Sequence, residues 1–259
     1  NGFLNILELS SKSSINHLVF ASSSSVYGAN TNIPFSESDH INHPISLYAA
    51  TKRSNELMAH AYSHLNDLPI SGLRFFTVYG PWGRPDMAYY LFTEAILKQQ
   101  PIKIFNNGLM KRDFTYIDDI VEGVIRVFDK PPNKNMKNIE SKYDINNSVS
   151  NYQVFNIGNN EPVTLKDFIA TIEEAAGKKA IKEYLPMQPG DVVETFADIE
   201  VNLIQNDPTM HPRLEVHDCK TFWQSFCLCI FLPTLMLILV FVQISSTIVV
   251  NEINDSSSS

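Results

Sequence analysis

Apolar positions recur along most of the chain in two alternating rhythms. Phe3, Leu4, Ile6, Leu7 and Leu9 fall at helical spacing, and the serines of Ser10–Ser14 predict the turn that ends this helix. Leu18–Ala21 is a short continuous apolar run, the pattern of a buried strand. Polar residues punctuated by Pro34 and Pro44 predict a loop from Asn30 to Pro44. Leu47, Ala50, Leu57, Met58 and Ala61 then predict a helix from Pro44 to Leu65, followed by a strand at Ile70–Phe76. The Pro- and Gly-rich run Val78–Pro85 predicts a loop, and Met87–Gln99 a helix. Strands at Ile102–Phe105 and Phe114–Ile117 flank a turn at Asn107-Gly108. Asp118–Phe128 reads as a helix whose two first-turn acids suit the helix dipole. Pro131–Asn151 is poor in apolar residues and reads as a linker or exposed insertion. A strand at Val154–Ile157 and a turn at Gly158–Asn160 precede a last helix. That helix is capped by Thr164 with Asp167 and stopped by Gly177. Strands alternating with helices predict a parallel α/β sheet.

Length and charge narrow this picture. The 259 residues suffice for one large domain or two modest ones. A net charge of −8 argues against a nucleic-acid-binding surface. Cys219, Cys227 and Cys229 all lie near the end, so no disulfide scaffold or cysteine metal site is expected before them. The 7 histidines show no ligand spacing, and no metal is expected. The chain opens without an initiator Met, a signal peptide or a Gly-x-x-Gly-x-x-Gly loop.

Candidate chemistry centres on Tyr48 and Lys52, which share one face of the predicted helix. A free phenol, with a pKa of about 10, is a poor base at neutral pH, and an adjacent cation favours the phenolate. Such a tyrosine can take a proton from a substrate hydroxyl. The same spacing also suits an ordinary solvated pair. The apolar strand Leu18–Ala21 runs into Ser22-Ser23-Ser24-Ser25-Val26-Tyr27-Gly28. Hydroxyls at a strand's carboxyl end lie where open α/β sheets hold ligands.

Five stretches together resemble the extended short-chain dehydrogenase/reductase family, and within it UDP-glucuronate 4-epimerases. They are Ala21–Gly28, Tyr48–Lys52, Leu73–Met87, Arg112–Asp119 and Pro189–Asp191, in family order over residues 1–199. The resemblance implies a partial Rossmann-type parallel sheet lacking its first βαβ units, with a smaller α/β substrate-binding domain. It assigns 1–77 and 114–158 to the NAD-binding part, 78–113 and 159–199 to the nucleotide-sugar-binding part, and 200–259 to a divergent tail. It also implies that the chain is a fragment with impaired activity.

The resemblance further implies roles. Ser23 hydrogen-bonds the sugar O4, Tyr48 is the general base and acid, and Lys52 activates Tyr48 and holds the nicotinamide ribose of NAD. Phe76 and Val78 border the cofactor. Thr77, Ser24 and Ser25 face the sugar, Arg84 grips a sugar carboxylate, Arg112 faces the UDP phosphates and Asp191 accepts from the uridine ribose. Tyr27-Gly28 reads as packing and turn. Chemistry is then transient oxidation at C4 through a 4-keto sugar. Related dehydratases carry an Asp-Glu pair where this chain has Ser24 and Ser25, and decarboxylases a Glu at the second position. A dehydratase or decarboxylase and a non-catalytic pseudoenzyme are the competing readings. The family also implies a homodimer through the Tyr-Lys helix.

Beyond Ile199 the likeness stops. Phe226–Ile244 is almost wholly apolar and, at ~19 residues, reaches the lower range for a membrane helix. Arg213 and Lys220 precede it, and Glu252 and Asp255 follow. A membrane contact there would put the enzyme-like part on the cytoplasmic side. A hydrophobic sequence that is never inserted is the alternative.

Overall fold

A computed structural model describes residues 1–133, 150–187 and 192–199, and the backbone of 248–250. In chain order the elements are α1 (Gly2–Lys12), β1 (Leu18–Ala21), α2 (Leu47–Asn66), β2 (Ile70–Phe75) and β3 (Thr77–Tyr79). Next come α3 (Ala88–Leu97), β4 (Pro101–Phe105), β5 (Lys111–Tyr116), α4 (Ile117–Phe128) and β6 (Tyr152–Ile157). The last are β7 (Pro162–Thr164), α5 (Leu165–Ala176), β8 (Ile181–Leu185), β9 (Glu194–Thr195) and β10 (Ile248–Val250). Two units result. Asn1–Phe75 and the described residues from Val121 to Ile157, with β10, form the first; Phe76–Ile120 and the described residues from Gly158 to 199 form the second.

In the first unit the sheet order is β10-β1-β2-β6. The β1–β2 and β2–β6 pairings are parallel, with Leu18 opposite Ile70 and Ile70 opposite Tyr152; β10 pairs antiparallel with β1. All four β1 residues are buried, as a strand covered on both faces requires. Leu7 of α1 and Ala59 of α2 pack with Leu18, Phe20, Ile70 and Val154. The helix α1 runs past the expected serine turn to Lys12. Ser11 donates its hydroxyl to the Glu8 carbonyl at 3.1 Å, and Lys12 pairs with Glu8 one turn back at 2.8 Å.

Helix α2 begins at Leu47, three residues later than expected, and its buried face differs from its apolar pattern. Its buried residues are Ala49, Lys52, Glu56, Ala59 and Ser63. Leu47, Leu57 and Leu65 are 83%, 56% and 78% exposed. Small side chains bring α2 close to the sheet, and a buried ion pair takes the remaining space, so the leucines point outward.

The second unit holds two small sheets. In one, β3 pairs parallel with β5, which pairs antiparallel with β7 and parallel with β9. In the other, β4 pairs parallel with β8. Its core joins Tyr79, Tyr89, Ile96, Ile102, Ile104, Phe168, Ile169 and Ile172. Two expectations change here. Val78 lies in β3, opposite Thr115, because the β-branched and aromatic run Thr77-Val78-Tyr79 extends before Gly80 turns the chain. Phe114–Ile120 belongs to the second unit, because every strand that β5 pairs with lies there. The apolar run Phe226–Ile244 lies outside the described residues. Among the described residues, no helix is long and apolar enough to cross a membrane.

Candidate active site

The serine turn in the first unit is built by its own hydroxyls. Ser22 N–H donates to the Leu73 carbonyl at 2.7 Å, extending the β1–β2 pairing by one residue. Ser23 then caps a single 3₁₀ turn over Ser24–Tyr27, its Oγ accepting from Ser25 N–H at 3.2 Å and donating to Ser25 Oγ at 3.1 Å. Ser23 is buried, while Ser24 and Ser25 are half-buried. Gly28 closes the turn at φ 55°, where a Cβ would collide with the His43 carbonyl.

Helix α2 carries the next two groups. Ser46 caps it by accepting Ala49 N–H at 3.1 Å, which fixes where the first turn starts. Tyr48 in that turn is 54% exposed. Lys52, one turn on, is buried, and its Nζ donates to the Ala21 carbonyl at 3.0 Å while lying 5.8 Å from the centroid of the Tyr48 ring. Burial holds the Lys52 ammonium below its ordinary pKa. The carboxyl end of β1 thus anchors the cation of the Tyr-Lys pair within two residues of Ser23.

A buried polar network that the sequence reading missed stands behind these groups. Glu56 follows Lys52 by one turn and is 1% exposed. Its carboxylate takes Arg74 Nε at 2.9 Å and Nη2 at 3.0 Å, Ser22 Oγ at 2.6 Å and Arg53 Nη1 at 3.0 Å. Burial alone raises this carboxyl; Arg74, Ser22 and Arg53 outweigh it and hold the group below its usual range. Arg74 is fully buried, and its Nη1 donates to the Tyr27 hydroxyl at 3.1 Å. Tyr27 donates to Asn156 Oδ1 at 2.7 Å, and Asn156 Nδ2 donates to the Phe35 carbonyl at 2.7 Å. Burial pushes the Tyr27 phenol up, and its ring stacks on Phe35 with centroids 4.5 Å apart. Tyr27 is therefore a packing and turn residue, as expected. The signal for the network was present: an arginine inside a buried strand implies a buried acid.

The other candidates lie in the second unit. A cavity of about 760 Å³ is lined by Thr77, Asp86, Met87, Tyr89, Phe92, Lys103, Phe105, Arg112, Phe114 and Phe168, among others. Its walls are mainly aromatic and aliphatic with a few charges, the usual make-up of a small-molecule site. Thr77 and Arg112 face it directly. Arg112 Nη1 donates to the Lys111 carbonyl at 2.9 Å. Arg84 is 60% exposed and pairs with Asp86 at 3.3 Å. Phe76 is buried and Val78 half-buried. Asp191 lies outside the described residues.

Asp113 sets this wall. It is fully buried and accepts three backbone N–H groups, from Asn159 at 2.8 Å, Asn160 at 3.1 Å and Ala197 at 3.0 Å. Burial raises its carboxyl and the three donors pull it back. The side chain beside Arg112 is thus a structural clamp.

The donor set suits part of an NAD molecule. An ammonium has three donors. Lys52 gives one to Ala21, and Tyr48 is 54% exposed. Groups of this kind are the donors that ribose hydroxyls accept from.

Comparison with known proteins identifies the family. The family model described as NAD dependent epimerase/dehydratase family matches residues 1–157. Protein CapI of Staphylococcus aureus is 58% identical over 199 residues, covering 77% of this chain and 60% of that protein. A probable UDP-glucuronate 4-epimerase of Rhizobium meliloti is 50% identical over 197 residues, covering 76% of this chain and 58% of that protein. The chain therefore spans about three fifths of the length of these relatives. Among solved structures, UDP-glucuronic acid 4-epimerase from Bacillus cereus, in complex with UDP-glucuronic acid and NAD, is 32% identical with a TM-score of 0.70. That match covers 88% of this chain and 67% of the other. The matched family model covers more than half of the chain, and the chain belongs to the NAD-dependent epimerase/dehydratase family.

Proposed function

We propose that this chain carries the proton-transfer and sugar-recognition residues of an NAD-dependent 4-epimerase that interconverts UDP-glucuronate and UDP-galacturonate. The observation that carries the reading is the Lys52 ammonium, anchored on Ala21 O beside Ser23 and 5.8 Å from the Tyr48 ring. Family membership supports it. NAD, when bound, supplies the hydride acceptor and donor at sugar C4. Tyr48 takes the proton from O4 and returns it, Lys52 favours its phenolate, and Ser23 orients O4. Tyr48 and Lys52 also hold the nicotinamide ribose, and Phe76 and Val78 border the ring. Thr77, Ser24 and Ser25 face the sugar. Arg84 pairs with the uronate carboxylate, exchanging its contact with Asp86, and Arg112 with the diphosphate. Asp191 serves the uridine ribose.

Serine hydroxyls at 24 and 25 offer no acid or base for loss of water or CO₂. Glu56 offers none either, since Arg74, Ser22 and Arg53 occupy its carboxylate. Chemistry then stops at the 4-keto stage until hydride returns. Exposed leucines support the homodimer: Leu4 and Leu9 on α1, and Leu57 and Leu65 on α2, which Tyr62 ties to α1 through Glu8 at 2.9 Å. A second copy of this face is its partner.

The test is product analysis by NMR with UDP-glucuronate and NAD, on a protein that carries these residues at the full length of the relatives, since this chain alone is expected to have impaired activity. UDP-galacturonate is expected, and Tyr48→Phe should abolish it. UDP-xylose or a 4-keto-6-deoxy sugar as main product refutes the assignment.

A further inference from the structure

Three consecutive residues at the end of β1 each make a fixed contact. The Ala21 carbonyl takes Lys52 Nζ at 3.0 Å. Ser22 Oγ donates to Glu56 Oε1 at 2.6 Å. Ser23 Oγ caps the turn that carries Ser24 and Ser25. The first two partners sit one helical turn apart on α2, and Tyr48 lies one turn before Lys52 on the same face. Glu56 is in turn held by both arms of the Arg74 guanidinium, from β2, at 2.9 and 3.0 Å. A bidentate pair fixes orientation as well as distance.

We propose that the buried Glu56–Arg74 pair is the positioning element of the proton-transfer site, setting the register of Ser23 against Tyr48 and Lys52 through Ser22. The inference rests on the reading of those three residues as the proton-transfer set. Without Glu56, Lys52 makes the one remaining side-chain hydrogen bond among those two from α2 to the strand end, and apolar packing of Ala59 on β1 does not fix the direction of a hydroxyl. With both, strand end and helix are pinned at two points. Neither Glu56 nor Arg74 has an exposed atom to offer a substrate, so they act through Ser22 and α2. Arg74 extends the same constraint through Tyr27 to Asn156 on β6.

A structural role alone predicts that loss of the pair changes stability and nothing else. The variant pair E56L/R74M separates the two cases, because apolar residues of similar volume often replace a buried ion pair without loss of stability. Ser22→Ala is the second variant; it leaves the ion pair intact and deletes only the link to Glu56. In both, side-chain NMR titration of the Lys52 ammonium should move up toward the ordinary lysine range as the strand end loosens. The amide signals of Ser23–Ser25 should shift with it. Turnover should fall on the order of 10²-fold in kcat with KM changed less than about twofold, the mark of misplacement rather than lost binding. Ser22→Thr, which restores the hydroxyl, should recover both readouts. A folded Ser22→Ala protein with unchanged Lys52 titration and unchanged kcat overturns the proposal. Absence of turnover in the unaltered protein at the relatives' full length sinks the epimerase reading instead, while the Lys52 titration still decides the positioning role.

Discussion

Replacing Arg74 with Met isolates one buried charge. Glu56 loses contacts of 2.9 and 3.0 Å and keeps Ser22 and Arg53 at 2.6 and 3.0 Å. Tyr27 loses a donor at 3.1 Å. Breaking a buried pair from one side costs roughly 3–5 kcal/mol, because the remaining charge stays desolvated. Arg53 remains as a partner, so the expected loss is about 3 kcal/mol, the low end of that range. The cost should depend on pH, with a definite sign. In the unaltered protein the folded Glu56 pKa is depressed. Its contribution is present above the unfolded value of about 4.3 and is lost as pH falls through the folded value. Without Arg74 burial dominates and raises the folded pKa, so the variant loses stability as pH rises through it. The two curves therefore diverge at neutral pH and converge in acid. Urea unfolding at pH 7 and near pH 4, with linear extrapolation, measures this. A loss below about 1 kcal/mol at pH 7, or one independent of pH, refutes the assignment of Glu56 as a buried carboxylate held by Arg74.

Arg84→Met should weaken UDP-glucuronate by roughly 1.5–3 kcal/mol while leaving UDP almost unchanged. Equal losses for both in calorimetry would show that Arg84 only shapes its loop. Ser25→Glu should divert product toward the decarboxylated sugar, seen by NMR; unchanged product ratios would remove the serines from the specificity argument. Glu173 is buried, but Lys179 at 2.8 Å and Lys182 at 3.0 Å outweigh that burial and lower its pKa to about 2. Its stabilisation is present above the ordinary Glu range and lost as pH falls toward about 2. Glu173→Gln should therefore flatten the acid limb of the stability curve in that window, and an unchanged limb in pH-dependent melting counts against the pairing.

Much of the candidate site could be proposed from the sequence because its residues are local. Ser23, Tyr48 and Lys52 sit at a strand end and on a helix turn that short patterns mark well. The faces of α2 were not readable in this way. Of the apolar pattern Leu47, Leu57 and Met58, Met58 packs against the core while the two leucines are exposed, and burial selects Ala49, Lys52, Glu56, Ala59 and Ser63. The pattern assumes that the core is apolar, and here an ion pair fills it. β8 went unseen because every residue before Leu185 in it is exposed, so no inward face shows in Ile181–Leu185. β3 was hidden by the prolines and glycines just after it.

The Asp113 clamp bears on how the chain folds. Its three donors lie 46, 47 and 84 residues away along the sequence. A contact that closes such long excursions gains nothing until both distant segments have arrived. The clamp is therefore expected late on the folding path, after β5 has its neighbours. Interactions made after the barrier leave the folding rate alone and slow escape from the native state. Asp113 would then act as a latch on unfolding: Asp113→Asn should speed unfolding and leave the folding rate unchanged, and stopped-flow kinetics showing slower folding instead would refute this.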